Sequence, residues 1–251
     1  MGPLIELAQK LLPRRLKRSV KRQLMTKFQV PSMEWSLRNM RRLGFDPPGI
    51  VDIGAYEGEW TSMARSVFPE ASFLMIEAQE AKRPKLEAVK GLGAGKVDFR
   101  IAVLGPEPRE AAILHLYDSA DTAASVLKDH IGGHSRTATC AMVTLDQILS
   151  QESFARPALL KLDVQGYELE VIKGAKQTLS SAEAVLMEVS LIELYEHNPL
   201  LLDATVFMAG NHFRAYDICG LVRRPLDEAL CQADIIFVKN DSPLVKQTHW
   251  I

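Results

Sequence analysis

Cysteine is scarce in this chain of 251 residues: Cys140, Cys219 and Cys231 are odd in number and widely spaced, with no Cys-x-x-Cys pair and no matching histidine cluster. This pattern gives no disulfide framework and no zinc site, and it reads as reduced thiols in a cytoplasmic protein. No apolar run approaches the roughly 18 residues that a membrane-spanning helix requires. Secretory signals place their basic residues before the apolar stretch, whereas here they follow it. Myristoylation is not expected after Met1-Gly2, because Glu6 stands where Ser or Thr belongs. Nor is there a basic surplus: a net charge of −1 excludes the usual nucleic-acid binder. Internal repeats and low-complexity segments are also lacking.

What is present is an apolar share of 47%, enough for one large α/β domain with a sizeable core. The charge is unevenly spread. Residues 1–28 carry Lys10, Arg14, Arg15, Lys17, Arg18, Lys21, Arg22 and Lys27 against Glu6, a balance of +7 that leaves −8 for the remainder. Leu4, Ala8, Leu11, Leu12, Leu16, Val20 and Leu24 recur there at near-helical spacing, interrupted by Pro13. The segment reads either as a helix packed on the domain, with a solvated basic face, or as a peripheral contact with a partner's acidic surface or with anionic lipid on the inner face of the membrane. Residues 1–32 are accordingly set apart as a basic amphipathic extension, and 33–251 as the main domain.

From Met33 onward, helices and strands alternate. A helix over Met33–Leu43 stops at Gly44 and Pro47-Pro48. A strand over Ile50–Gly54, a helix over Trp60–Phe68, a strand over Phe73–Glu77, a helix over Lys82–Val89 and a strand over Val97–Leu104 follow. This order predicts a parallel, doubly wound sheet with ligands at the carboxyl ends of its strands. Ala111–Tyr117 and Thr139–Val143 read as short strands around the polar stretch Asp118–Arg136, too long for an ordinary connection and placed to cover the cleft. Then come a helix over Leu145–Leu149, a strand over Ala158–Leu162, a helix over Tyr167–Leu179 and a strand over Ala184–Val189. Strands over Arg214–Ile218 and Ile235–Val238 close the chain as an antiparallel pair, for seven strands in all.

The most informative stretch is Asp52-Ile53-Gly54-Ala55-Tyr56-Glu57-Gly58-Glu59-Trp60, a strand end, a tight glycine turn and a helix start. Gly54 lets the backbone turn with no Cβ in the way of a ligand, and Gly58 allows close helix packing or a second close approach. Dinucleotide enzymes carry Gly-x-Gly-x-x-Gly here so that the backbone can touch a pyrophosphate. In this chain Tyr56 occupies the place of the second glycine, and Glu57 and Glu59 would repel a phosphate.

S-adenosylmethionine fits better, having an adenosine but a zwitterionic methionine arm and a cationic sulfonium. Glu77, at the end of the second strand, lies at the distance from the turn where an acidic residue accepts hydrogen bonds from ribose hydroxyls. Asp52 and the backbone from Gly54 through Ala55 and Tyr56 to Gly58 are expected at the amino and carboxylate groups of the arm. Ala102 and Val103 are expected at adenine, and Ser125 at the methionine arm from the covering loop.

The segment from Leu159 to Ala175 contains Lys161-Leu162-Asp163-Val164-Gln165-Gly166-Tyr167-Glu168. Together with the Asp52–Trp60 corner, the Glu77 strand end, Thr144-Leu145-Asp146, Glu188-Val189-Ser190 and Ala233–Val238, it closely resembles the FkbM-type methyltransferase family, from about residue 40 to residue 239. The resemblance implies a class I methyltransferase sheet and S-adenosylmethionine-dependent O-methylation of a hydroxyl, on sugars, glycolipids or polyketides. A glycan or other small molecule is the acceptor so implied.

Asp163 ends the fourth strand of the parallel sheet. A carboxylate there takes the proton of an attacking hydroxyl or orients it, or else caps the following helix. Glu188 ends the fifth strand in the same way and is the second candidate. Two carboxylates without a histidine at ligand spacing do not make a metal site. His197 is an alternative base, with His130 and His134 of the covering loop; each reads equally as an exposed loop histidine. Glu168, in a first helical turn, is explained by the helix dipole. Three other readings stand beside the sugar O-methyltransferase: an enzyme for a polyketide or other secondary metabolite, a non-catalytic interaction module that keeps the fold, and a nicotinamide-dependent oxidoreductase. Tyr56 and the acidic turn disfavour the last.

Overall fold

The computed structural model describes residues 30–117, 124–130 and 135–249. The basic segment 1–28 and His134 lie outside the described residues.

Strand β1 (Gly49–Ile53) is buried at every position because parallel strands flank it on both edges, β2 (Ser72–Glu77) on one side and β8 (Pro157–Leu162) on the other. A strand covered on both faces reads as a continuous apolar run, which is why these segments stand out in the sequence. The sheet is completed by β3 (Val97–Ile101), β9 (Ala184–Ser190), β10 (Phe213–Arg223) and β11 (Leu230–Lys239). Its order is β10-β11-β9-β8-β1-β2-β3. Only β11 runs against its neighbours, pairing antiparallel with both β9 and β10. This is the seven-stranded class I methyltransferase arrangement.

Successive residues of a strand point to opposite faces, and the core divides accordingly. Ile50, Phe73, Met75 and Leu159 face α1 (Met33–Arg42), α2 (Glu59–Val67) and α3 (Arg83–Gly91), where Leu37, Met40, Ala64, Val67 and Leu86 are buried. Val51, Ile53, Leu74 and Leu160 pack in the other layer with residues of α5 (Glu168–Lys173), α6 (Lys176–Ser181) and α7 (Leu201–Gly210). Helix α1 starts at Ser32, whose side chain accepts from the Trp35 amide. Ser36 then ties the helix to the sheet edge by donating to Asp217 at 2.6 Å.

The structure departs from the sequence reading in five places. The run 97–104 is two strands: at Ala102 the chain leaves the main sheet, and β4 (Val103–Leu104) pairs instead with β7 (Ser135–Val143). With β5 (Arg109–Tyr117) and β6 (Ala124–Ser125) this makes a second sheet of four strands, order β4-β7-β5-β6, longer and more regular than the two short strands expected. The helix expected over Tyr167–Leu179 breaks at Gly174, where a Cβ would lie 2.1 Å from the Gly105 carbonyl oxygen. The second half, α6, receives its own cap from a distance. Asp146, in α4 (Leu145–Ser150), accepts from the Gln177 and Thr178 amides at 2.9 and 3.0 Å.

The stretch Cys219–Ala233, read as a connection, is mostly strand, because β10 and β11 run on as a long ribbon. Helix α7 was not anticipated. Its Leu202 and Val206 are exposed, so its apolar residues trace no single face.

Candidate active site

The turn after β1 is held from two sides. The Gly54 and Ala55 amides both donate to the Ile76 carbonyl of β2, at 2.9 and 3.1 Å. On the other side the Asp163 amide donates to the Ile53 carbonyl at 3.1 Å. Gly54 has a φ of +75°, and a Cβ there would lie 1.8 Å from the Asp163 carbonyl oxygen, so no other residue can bring the first and fourth parallel strands this close. Gly58 (φ +76°) serves packing: a Cβ would meet the Val89 side chain at 2.9 Å and the Met75 sulfur at 3.1 Å.

Above the turn lies a cavity of about 350 Å³. Gly54, Ala55, Tyr56, Glu77, Ala102, Val103, Asp163 and Glu188 all line it, so most of the residues singled out in the sequence converge on one space. The second sheet closes it, with Leu114 of β5 and Ala124 and Val126 around β6 in its wall.

Glu77 is 5% exposed, and its two oxygens accept the Tyr56 and Gln79 amides at 2.8 and 2.9 Å. Burial raises its pKa, and these amide hydrogen bonds offset the rise only in part. The Ala78 amide adds to the offset, and a carboxylate's roughly four lone-pair sites leave room for a further donor. Tyr56 has a φ of +51° and carries the Lys82 ammonium 4.0 Å above its ring. An aromatic ring and a left-handed tyrosine thus stand where a pyrophosphate cradle would need a bare backbone.

Asp52 does not reach this cavity, which corrects the expectation of direct ligand contact. It is 0% exposed. Its Oδ2 accepts from Thr61 of α2 at 2.7 Å, and its Oδ1 faces Lys161 Nζ at 3.3 Å. The two residues are in register on adjacent parallel strands. Lys161 also donates to the Gly54 carbonyl at 2.9 Å and lies 3.4 Å from Asp163 Oδ2. Burial alone would lower the Lys161 pKa, but the Asp163 and Asp52 carboxylates more than offset it and hold the amine charged. The signal was in the sequence: a lysine inside the apolar run Leu159-Leu160-Lys161-Leu162 must bring an acidic partner into the sheet.

Asp163 leaves a third of its side chain exposed (33%) at the cavity wall. Its second oxygen accepts from Gln165 Nε2 at 2.9 Å. The same amide reaches Glu188 Oε2 at 3.3 Å, and Tyr195 donates its hydroxyl to Gln165 Oε1. Gln165, which the sequence reading passed over, is therefore the bridge between the two candidate carboxylates. It sits at φ +58°, a strained setting for a residue with a side chain. Nothing in a glutamine codon announces that. Glu168 holds the same loop from below, accepting the Val164 and Gly166 amides at 2.8 and 3.2 Å.

Two carboxylates, Asp52 and Asp163, thus flank one ammonium, and its charge also reaches Glu188 and Asp234. Burial pushes Glu188 well above the ordinary carboxylate range, and the nearby Asp163, Glu168 and Asp234 add to the shift. Burial also raises Glu168 to about 7 and Asp234 to about 6.

Ser125 is buried beneath the wall, not in it. It donates to the Gln165 carbonyl at 2.8 Å and accepts the Leu127 amide at 3.0 Å, so it positions Gln165. His197 is not brought to the site: its side chain is 97% exposed, and its ring lies 3.8 Å from Glu193. His130 lies 3.5 Å from the same glutamate and does not line the cavity.

A family model described as the methyltransferase FkbM domain matches residues 52–216. The chain belongs to this family. Its cofactor is S-adenosylmethionine, and the FkbM residues present suit that molecule: a glycine corner without a phosphate cradle, an acidic strand end at Glu77, and small apolar residues at 102 and 103. Comparison with curated proteins finds no match.

Similar folds occur among solved structures. Precorrin-6y C5,15-methyltransferase from Geobacter metallireducens GS-15 is 11% identical with a TM-score of 0.47, over 82% of this chain and 88% of that one. Magnesium protoporphyrin IX methyltransferase from Synechocystis PCC 6803, solved with bound S-adenosylmethionine, is 12% identical with a TM-score of 0.46, over 91% and 85%. The 1,6-didemethyltoxoflavin-N1-methyltransferase of Burkholderia thailandensis is 12% identical with a TM-score of 0.45, over 96% and 92%. Among the described residues no helix is long and apolar enough to cross a membrane.

Proposed function

We propose that this methyltransferase acts on a hydroxyl, with a sugar of a polysaccharide or glycolipid as acceptor and Asp163 as the proton acceptor. The observation that carries the reading is the setting of Asp163. Its carboxylate is open to the cavity yet fixed on both oxygens, by Lys161 at 3.4 Å and by Gln165 at 2.9 Å.

When bound, S-adenosylmethionine supplies a methyl group on a sulfonium that is already a good leaving group. The residues of the chain supply the rest. Glu77 accepts the ribose hydroxyls, and Ala102 and Val103 provide an apolar surface for adenine. Asp163 orients the acceptor hydroxyl and takes its proton as the oxygen attacks. Much of the acceleration comes from holding that oxygen in line, and a carboxylate clamped by two partners holds it better than a free one.

Glu188, which burial holds well above the ordinary carboxylate range, lines the same cavity as Asp163, and two polar groups in one wall suit a polyhydroxylated ring. The basic residues of segment 1–28 support delivery to an anionic membrane surface, where lipid-linked sugars are found.

Transfer of labelled methyl from S-adenosylmethionine to a panel of oligosaccharides, lipid-linked sugars and aromatic polyketides tests this. Label in a base-stable methyl ether on sugar is the expected result. Label confined to the polyketides moves the enzyme to secondary metabolism, and label on nitrogen or carbon alone rejects O-methylation.

A further inference from the structure

A row of carboxylates crosses the carboxyl edge of the main sheet. Leu162 pairs with Met187, so Asp163 and Glu188 stand level on neighbouring strands. Asp234 of β11 is in register with Glu188, and Gly220 of β10 is in register with Asp234. Two residues along their strands, Leu186 and Ile236 belong to the layer beneath α1, α2 and α3, which puts Glu188 and Asp234 on that same face. Asp163 and Glu188 line the cavity, and Asp234 stands one strand further out.

The three carboxylates are not equally served. Asp163 has Lys161 and Gln165, and Glu188 accepts from the Gln165 and Gln232 amides. Asp234 is 9% exposed, yet among the described residues no hydrogen bond or ion pair meets its carboxylate. Lys161 is the only cation among them whose charge reaches it, and that ammonium is already taken up by Asp52 and Asp163. Burial, with repulsion from Asp163, raises Asp234 to about 6, so at neutral pH most of it is ionised. Like charges directly opposite on adjacent strands cost stability, and a buried charge calls for a partner. Gly220 gives the carboxylate its seat, since a Cβ there would lie 1.9 Å from Asp234 Oδ2. A charge that the fold leaves unmet marks a place built for something else to meet it.

We infer that the acceptor carries a free amine on the same ring as the methylated hydroxyl, as an unacetylated amino sugar does, and that Asp234 binds it as an ammonium. The inference rests on a sugar hydroxyl as the methyl acceptor and narrows that class to amino sugars. Two strand spacings, about 9.5 Å, separate Asp163 from Asp234. Hydrogen bonds of about 2.8 Å at either end take up more than half of that span, so amine and hydroxyl belong to one ring. Bound as an ammonium, the nitrogen has no lone pair to attack the sulfonium, and the methyl group goes to oxygen.

Methyl transfer from S-adenosylmethionine by the full chain tests this on a set of hexosides, each with one free amine at a different ring carbon, beside their N-acetyl forms and neutral parents. At least one free amino sugar is expected to exceed both counterparts about 10-fold or more in kcat/KM, with the label on oxygen. In Asp234→Asn that ratio should fall to within about twofold of unity, and Gly220→Ala, which displaces the carboxylate, should lower it as well. Asp234→Asn should melt no lower than the wild type, because it removes an unmet charge; a fall of more than about 5 °C assigns Asp234 to the fold and overturns the inference. Neutral or acetylated sugars used as well as the free amine, an undiminished ratio in Asp234→Asn, or label on nitrogen each overturn it while leaving a sugar as the acceptor. Label on no sugar at all overturns the sugar acceptor itself, and the inference with it.

Discussion

Lys161 Nζ and Asp52 Oδ1 face each other at 3.3 Å across two parallel strands, at positions that are in register. The pair lies in the centre of the sheet and fixes the floor of the site, because Lys161 also reaches the Gly54 carbonyl and Asp163. Removing the cation leaves a fully buried carboxylate without its countercharge. Lys161→Met is expected to destabilise the fold by about 3–5 kcal/mol. Adding Asp52→Asn to it should restore part of that loss, since the two residues share one interaction. Guanidinium chloride unfolding of both single variants and the double variant measures this. A loss under about 1 kcal/mol in the single Lys161 variant would show that the pair does not hold the floor.

Stability should fall as pH rises through the weakly acidic range. The native pKa of Glu168 is raised by burial from 4.5 to about 7, so between those values the folded chain holds a proton that the unfolded chain has released. The favourable contribution is complete below 4.5 and is lost as pH passes about 7, a change on the order of 3 kcal/mol. Asp234, raised from 3.8 to about 6, acts in the same direction. Denaturant unfolding at pH 5, 6, 7 and 8 should give a declining free energy for the wild type and a flatter curve for Glu168→Gln. A wild-type curve that climbs over this interval contradicts the buried, protonated state.

Gln165 positions Asp163 and Glu188 without itself needing to touch a substrate. Gln165→Gly removes the bridging amide and also relieves the positive φ, a strain of about 1 kcal/mol. Such a variant should keep or gain thermal stability and bind S-adenosylhomocysteine as the wild type does, while kcat falls about 10- to 100-fold. Stopped assays of methyl transfer beside calorimetry separate the two effects. A drop in cofactor affinity that matches the drop in kcat would place Gln165 in cofactor binding instead.

How much of this was legible depends on how each feature is encoded. The central strands show because burial on both faces demands unbroken apolar runs, as in Phe73–Ile76 and Leu159–Leu162. The Gly54 corner shows because only glycine tolerates the contact with the Asp163 carbonyl. Strand β10 is exposed over much of its length, and its Arg223 and the neighbouring Arg224 read as loop. The helix break at Gly174 depends on Gly105 and Asp146, which only the fold brings near. Asp52 was read as facing a ligand because nothing local shows which way a strand-end side chain turns. His197 lies close in sequence to the fifth parallel strand, yet it ends in solvent. Its φ of +59° belongs to a surface turn whose amide is held by Glu193.

The role of Asp163 is tested most directly by Asp163→Asn, measured in single-turnover methyl transfer and in S-adenosylhomocysteine binding on the same preparation. Asparagine keeps the shape and the contact with Gln165 but cannot take a proton. The expected result is transfer slowed about 10²- to 10⁴-fold, the range of general-base catalysis, with cofactor affinity within about threefold of the wild type. Transfer at the wild-type rate, or a loss of cofactor binding as large as the loss of rate, would contradict a carboxylate that receives the proton of the acceptor hydroxyl.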